Sequence, residues 1–329
     1  MSSFALYRRP GGVVFLDDDR DYLEMLAEVM PMDWYVRLFI RPAACIALLQ
    51  QERQRSESDI WAQREIINRW HEGASLIPLI LQYWREDGSN RLSLIRVCVV
   101  DYAMPAMSGL RVLDEVSEWS GQRILLTGRA DEQLAISAFN RRLIEQFIPK
   151  QTPDIGRRLS SVIESQRRLA DERYQQIWRA TLSREQHMLL SDPLIAQALE
   201  QLALSQEWVE HVVIGAPFGI LALNGQGATS WLQLEPSANL PELAELAESQ
   251  GADTALVQDI RDGKKLMNLE LQLALGASHA PEARPAWAIA GAAAPVYAAL
   301  FGIPADFSPG AACSYRHFIS TCGERVLHD

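Results

Sequence analysis

Four apolar runs, each ending in a residue with usable chemistry, constrain this chain more than anything else in it. Residues 13–19 read VVFLDDD, 97–110 VCVVDYAMPAMSGL, 124–127 ILLT and 147–150 FIPK. Short uninterrupted apolar runs of this kind predict strands covered on both faces, as in a parallel α/β sheet, rather than strands with one wet face. In an open parallel sheet the carboxyl ends of the strands share one edge, and ligands bind where the strand order reverses. Asp17 and Asp18, Asp101, Thr127 and Lys150 would then meet on that edge. Clustered carboxylates suit a hard, oxygen-seeking divalent cation. A hydroxyl and an ammonium beside them suit a phosphoryl group.

Asp101 is followed by Tyr102-Ala103-Met104-Pro105-Ala106-Met107-Ser108-Gly109. This stretch resembles the x-x-Met-Pro-x-Met-x-Gly run after the phospho-accepting aspartate of response-regulator receiver domains. Asp17 and Asp18 match the acidic pair at the first strand end, Thr127 the strand-end hydroxyl, Lys150 the lysine, and Phe147 the aromatic switch residue three positions before it. One departure is Gln151, where receivers commonly carry proline. The resemblance implies a two-component response regulator with a CheY-like receiver, that is, a flavodoxin-like, doubly wound, parallel five-stranded sheet. It further implies Mg²⁺ held directly by Asp18 and Asp101, through water by Asp17, and by the backbone carbonyl of Ala103. Asp101 would accept the phosphoryl group, Lys150 would neutralise its oxygens and Thr127 would hydrogen-bond one of them. The implied partner is a sensor histidine kinase or a phosphotransfer protein. Crowding three carboxylates should also raise at least one of their pKa values through like-charge repulsion.

At 329 residues the length predicts about two domains. No apolar stretch approaches the ~18 residues of a membrane-spanning helix, and the N-terminus has no signal-peptide core. Cys45, Cys98, Cys313 and Cys322 are scattered, as expected of reduced thiols in a cytoplasmic protein. The pattern predicts a receiver over 1–154 with a helical insertion at about 51–93, broken at Gly73 and Pro78. Trp61, Ile66, Ile67, Trp70, Ile77, Ile80, Tyr83 and Trp84 in that insertion either pack on the receiver or form a docking face. Apolar positions Ile155, Leu159, Val162, Leu169, Ile177 and Leu182 predict a long helix over 155–190 that could pair two chains as a homodimer. An α+β output domain is expected over 191–329, with strands at 211–223, 228–235 and 286–291 and helices at 239–250, 253–275 and 314–320.

The output domain is recognised mainly by exclusion. Residues 181–329 hold 7 Lys and Arg against 17 Asp and Glu, a net charge of −10 within a chain total of −11. Phosphate contacts dominate nucleic-acid affinity and require clustered cations, so no DNA-binding output is expected. Gly215, Gly219, Gly225 and Gly227 lack a phosphate-loop spacing, and Cys313, His317 and Cys322 match no zinc pattern. His187, His211 and His279 fall in unrelated contexts. Two classes stay open: a module that binds protein or a small ligand under phosphorylation control, or a receiver-gated enzyme. As an arrangement rather than by motif, an enlarged receiver with a non-DNA output is similar to atypical regulators of bacterial quorum-sensing circuits.

Overall fold

The structure, a computed structural model, describes residues 3–86, 88–128, 132–276, 280–322, 325 and 327–328, without the side chains of 132–135. His279 lies outside these residues. In chain order a short strand β1 (Tyr7–Arg8) precedes β2 (Gly12–Leu16), α1 (Arg20–Val29), β3 (Val36–Phe39) and α2 (Pro42–His71). Then come α3 (Leu76–Glu86), α4 (Gly88–Leu92), β4 (Ile95–Asp101), α5 (Gly109–Glu115), β5 (Gln122–Thr127), α6 (Glu132–Asn140) and β6 (Gln146–Pro149). Helices α7 (Ile155–Arg168), α8 (Glu172–Arg179), α9 (Arg184–Leu190) and α10 (Pro193–Ser205) follow. They lead to β7 (Trp208–Gly215), β8 (Phe218–Asn224), β9 (Thr229–Pro236), α11 (Leu240–Ser249) and α12 (Thr254–Arg261). The remainder comprises β10 (Lys265–Met267), α13 (Leu269–Leu275), β11 (Ala283–Pro285), β12 (Trp287–Ile289), β13 (Val296–Gly302), α14 (Tyr315–Thr321) and β14 (Leu327–His328).

Two compact units share this chain, and neither is a continuous stretch. One comprises residues 10–61, 89–169 and 318–329; the other comprises 1–9, 62–88 and 170–317. The first holds a parallel sheet of order β14-β3-β2-β4-β5-β6. Its apolar runs are buried on both faces. Val13, Phe15, Val97 and Val99 pack with Leu23, Leu26, Leu159, Val162 and Ile163 of α1 and α7. On the other face Val14, Leu16, Cys98 and Val100 pack with Cys45 and Leu49 of α2 and with Val112 and Leu113 of α5. The sheet has six strands where five were expected. The addition is β14, whose Leu327 and His328 register with Leu38 and Phe39 of β3.

The second unit is built on an antiparallel sheet of order β1-β7-β8-β9-β13-β12, beside a separate β10-β11 pair. Residues 211–223, expected to be one strand, form two, because the chain turns at Ala216-Pro217. The helix expected over 253–275 is interrupted by β10, and β13 was not foreseen. β1, expected in the receiver, instead pairs with β7 through Tyr7–Val212 and Arg8–His211. The Leu6 N–H donates to Gln175 Oε1 at 2.6 Å, and Gln175 Nε2 donates back to the Tyr7 carbonyl at 3.0 Å. Phe4, 1% exposed, stacks on the His211 ring at 4.8 Å. Phe4→Ala is therefore expected to cost about 3–5 kcal/mol, read as a lowered urea midpoint for the antiparallel unit; an unchanged midpoint would show that this segment is dispensable.

Two further expectations are corrected. The 51–93 insertion is not a feature of one unit. α2 runs unbroken from Pro42 to His71, Gly73 stops it with φ 103°, and Pro78 sits in the first turn of α3, where its missing N–H costs nothing. Ile66, Ile67, Ile77, Ile80, Tyr83 and Trp84 are buried in the antiparallel unit, and Trp178 Nε1–H donates to Gln63 Oε1 at 2.7 Å. The long helix over 155–190 is three helices. The Asp171 carboxylate caps α8 by accepting from the Arg173 N–H at 3.1 Å, and Ser183 and Gln186 form a capping box at the start of α9. Ile177 is buried in its own unit, so the apolar positions expected along one long helix no longer share a single helix.

Candidate functional site

The strand order reverses between β2 and β4, and the acidic residues sit at that crevice. Each is held by the ladder running past its strand. The Asp17 N–H donates to the Phe39 carbonyl at 3.1 Å, Tyr102 N–H to Leu126 at 2.9 Å and Lys150 N–H to Thr127 at 2.8 Å. The Lys150 ammonium lies 2.7 Å from Asp17 Oδ2 and 2.8 Å from Asp101 Oδ1. Ligand oxygens of Asp17, Asp18 and Asp101 all fall within 4.8 Å of one another; Asp18 is exposed and the other two are buried. Among the described residues this is the one group of three or more metal-capable side chains. Thr127 is fully buried, and among the described residues its hydroxyl has no hydrogen-bond partner.

Gly109 explains why the loop after Asp101 ends in glycine. A Cβ there would run into the Asp101 carbonyl oxygen, and the Gly109 N–H donates to the Tyr102 carbonyl at 2.9 Å. Met104 is buried and Met107 packs on the core, which anchors the loop. The Ala103 N–H donates to Asp101 Oδ2 at 3.1 Å. Phe147 lies half-buried on β6 against the core.

Burial raises the Asp17 pKa, opposed by the Lys150 ammonium and the Asp19 N–H; the Asp101 charge is the smallest contribution. Desolvation therefore outweighs the carboxylate repulsion expected from sequence. For Lys150, burial acts to lower the pKa, but hydrogen bonds and charge from Asp101 and Asp17 outweigh it and leave the group raised. The ammonium is thus charged at neutral pH. One neighbour was not foreseen. The Tyr22 ring lies under Lys150 Nζ, 4.7 Å from its centroid. The available signal was its position in the first turn after the Asp19 cap, whose carboxylate accepts from the Tyr22 N–H at 3.1 Å.

An acidic crevice at the switch point of a sheet ordered this way defines a receiver-type fold. Taken over the whole chain, the fold is that of the Legionella pneumophila response regulator LqsR, which is 22% identical and superposes with a TM-score of 0.70 over 98% of both chains. The antiparallel unit is therefore part of a shared architecture. A receiver domain protein from Clostridium thermocellum matches at 16% identity, covering 47% of this chain and 92% of its own, with a TM-score of 0.32. An adenylate cyclase from Rhodopirellula baltica matches at 17%, covering 51% and 92%, also at 0.32; scores this low add nothing. No protein-family model and no curated protein matches the sequence. Among the described residues no helix is long and apolar enough to cross a membrane.

Proposed function

We propose that the chain is a phosphorylation-controlled response regulator in which Asp101 accepts a phosphoryl group from a sensor histidine kinase or phosphotransfer protein. One observation carries this reading: a single ammonium, Lys150, bridges Asp17 and Asp101 while the buried Thr127 hydroxyl has no partner among the described residues. The residues fit a magnesium ion, because their donors are all carboxylate oxygens within reach of one small cation. When bound directly by Asp18, Asp101 and the Ala103 carbonyl and through water by Asp17, it would supply positive charge to the transferring phosphoryl oxygens.

The protein groups do the rest. An Asp101 carboxylate oxygen attacks phosphorus, a P–O bond forms as the donor's P–N bond breaks, and the donor imidazole leaves with the electron pair and takes a proton from water. The Ala103 N–H holds the carboxylate in line. Lys150 pairs with phosphoryl oxygens as Asp101 gives up its charge, and Thr127 donates its unpaired hydroxyl to one of them. Drawing Thr127 toward the phosphoryl frees space that Phe147 can fill, which carries the change to β6 and its flanking helices. The output acts without DNA, by binding protein or a small ligand. Its acidic charge supports this, as do the exposed Leu194, Leu204 and Leu273 of the antiparallel unit.

Incubation with magnesium and acetyl phosphate should add one phosphoryl group, seen by intact-protein mass spectrometry. Asp101→Asn should abolish it while leaving the protein folded. Undiminished labelling of that variant would refute the assignment.

A further inference from the structure

Three groups converge on one ammonium. Lys150 Nζ contacts Asp17 Oδ2, Asp101 Oδ1 and the face of the Tyr22 ring. Tyr22 is itself tied to the acidic loop, since its N–H donates to the Asp19 carboxylate and the Asp19 N–H donates to Asp17 Oδ1, both at 3.1 Å. The ring also packs on the sheet's apolar core. Its hydroxyl is buried without a hydrogen-bond partner among the described residues, and burial pushes its pKa up to about 12. The phenol therefore stays neutral and presents its π face, not a polar contact, to the lysine.

Resting on the phosphoryl-acceptor reading above, we propose that Tyr22 is a positioning residue that holds the Lys150 ammonium on the Asp17–Asp101 pair. It thereby sets how hard a divalent cation must compete for those carboxylates. The ammonium and the cation draw on the same negative charge, so whatever stabilises the ammonium in place weakens the cation. A ring face within about 6 Å of an ammonium is attractive, and more so when the pair is partly desolvated. Taking the ring away removes that attraction from the cation-free state, and the cation should bind more tightly. Phenylalanine keeps the ring and should change little, which separates the π face from the hydroxyl.

The test is magnesium binding by titration calorimetry on the full chain, with thermal unfolding to confirm folding. Tyr22→Leu should lower the magnesium Kd about three- to tenfold, and Tyr22→Phe should stay near wild type. The ζ-ammonium pKa of Lys150, followed by NMR, should fall in Tyr22→Leu only, a change that lost core packing alone would not produce. If Tyr22→Leu does not fold, Tyr22→Met poses the same question. An unchanged or weaker magnesium affinity in a folded ring-less variant would overturn the proposal. If wild type labels on Asp101 and the ring-less variant matches it in magnesium affinity, only this inference fails. If wild type neither binds magnesium nor labels, the functional reading fails and takes the inference with it.

Discussion

Lys150→Met should slow phosphoryl uptake by Asp101 about 100-fold or more, the usual cost of deleting one preorganised charge stabiliser. Methionine keeps the length and apolar stem of lysine, so the loss isolates the ammonium. The same change should also make stability depend on pH. Asp17 and Asp101 side chains are only 2% and 5% exposed, and Lys150 is the cation that compensates both. Without it, burial raises the Asp17 carboxyl further, since the Lys150 hydrogen bond was the largest opposing contribution. A raised carboxyl contributes stability below its unfolded pKa and loses it as pH rises through the folded value. The variant should therefore match wild type in acid and fall behind toward neutrality, by about 3 kcal/mol if the pair behaves as a buried one. Magnesium should restore much of that loss by replacing the missing charge. Equal stability curves from acid to neutral pH without magnesium would show that the ammonium does not compensate these carboxylates.

The clustering at the sheet edge was legible because each of these residues ends an apolar strand, and a strand's local pattern fixes where its last side chain emerges. Asp17, Asp18, Asp101, Thr127 and Lys150 all gained their places that way. Two contacts were less accessible: the Ala103 N–H on Asp101, which any residue could supply, and the Tyr22 ring at Lys150, packed from a neighbouring helix. Strands β1 and β14 could not be read at all. Each is two residues long and pairs with a segment far off in sequence, so neither has a period to detect. The misread helix over 155–190 has another cause. Amphipathic spacing is the same for one long helix as for three short ones, and only the caps tell them apart. Asp171, the Ser183–Gln186 pair and Pro193 behind Asp192 were those signals. The division of the chain into two interleaved units follows from such long-range pairing and has no compositional mark.

Unfolding of the antiparallel unit should become easier as pH rises from about 5 to about 8, and Glu235→Gln should remove most of that trend. Glu235 lies on β9, where it is 8% exposed and accepts from Gln233 Nε2 at 2.9 Å. Burial is the main cause that pushes its carboxyl up to about 7 from 4.5, with the Glu270 and Glu242 charges adding to it and the Gln233 and Asn239 hydrogen bonds opposing. Because the folded state prefers the protonated acid, its contribution is complete below the unfolded value and disappears as pH passes through the folded one. A displacement of this size corresponds to about 3 kcal/mol once the group is ionised. Glutamine keeps an oxygen for Gln233 and carries no charge, so the variant should equal wild type near pH 5 and exceed it by about 3 kcal/mol near pH 8. A smaller slope should persist from Glu270, which burial and the Glu242 charge also raise. Two units in one chain need not unfold together, so amide hydrogen exchange of residues 229–236 is the measurement that isolates this sheet. Identical pH dependence of β9 exchange in wild type and Glu235→Gln would mean that Glu235 ionises in the folded unit as freely as in the unfolded chain.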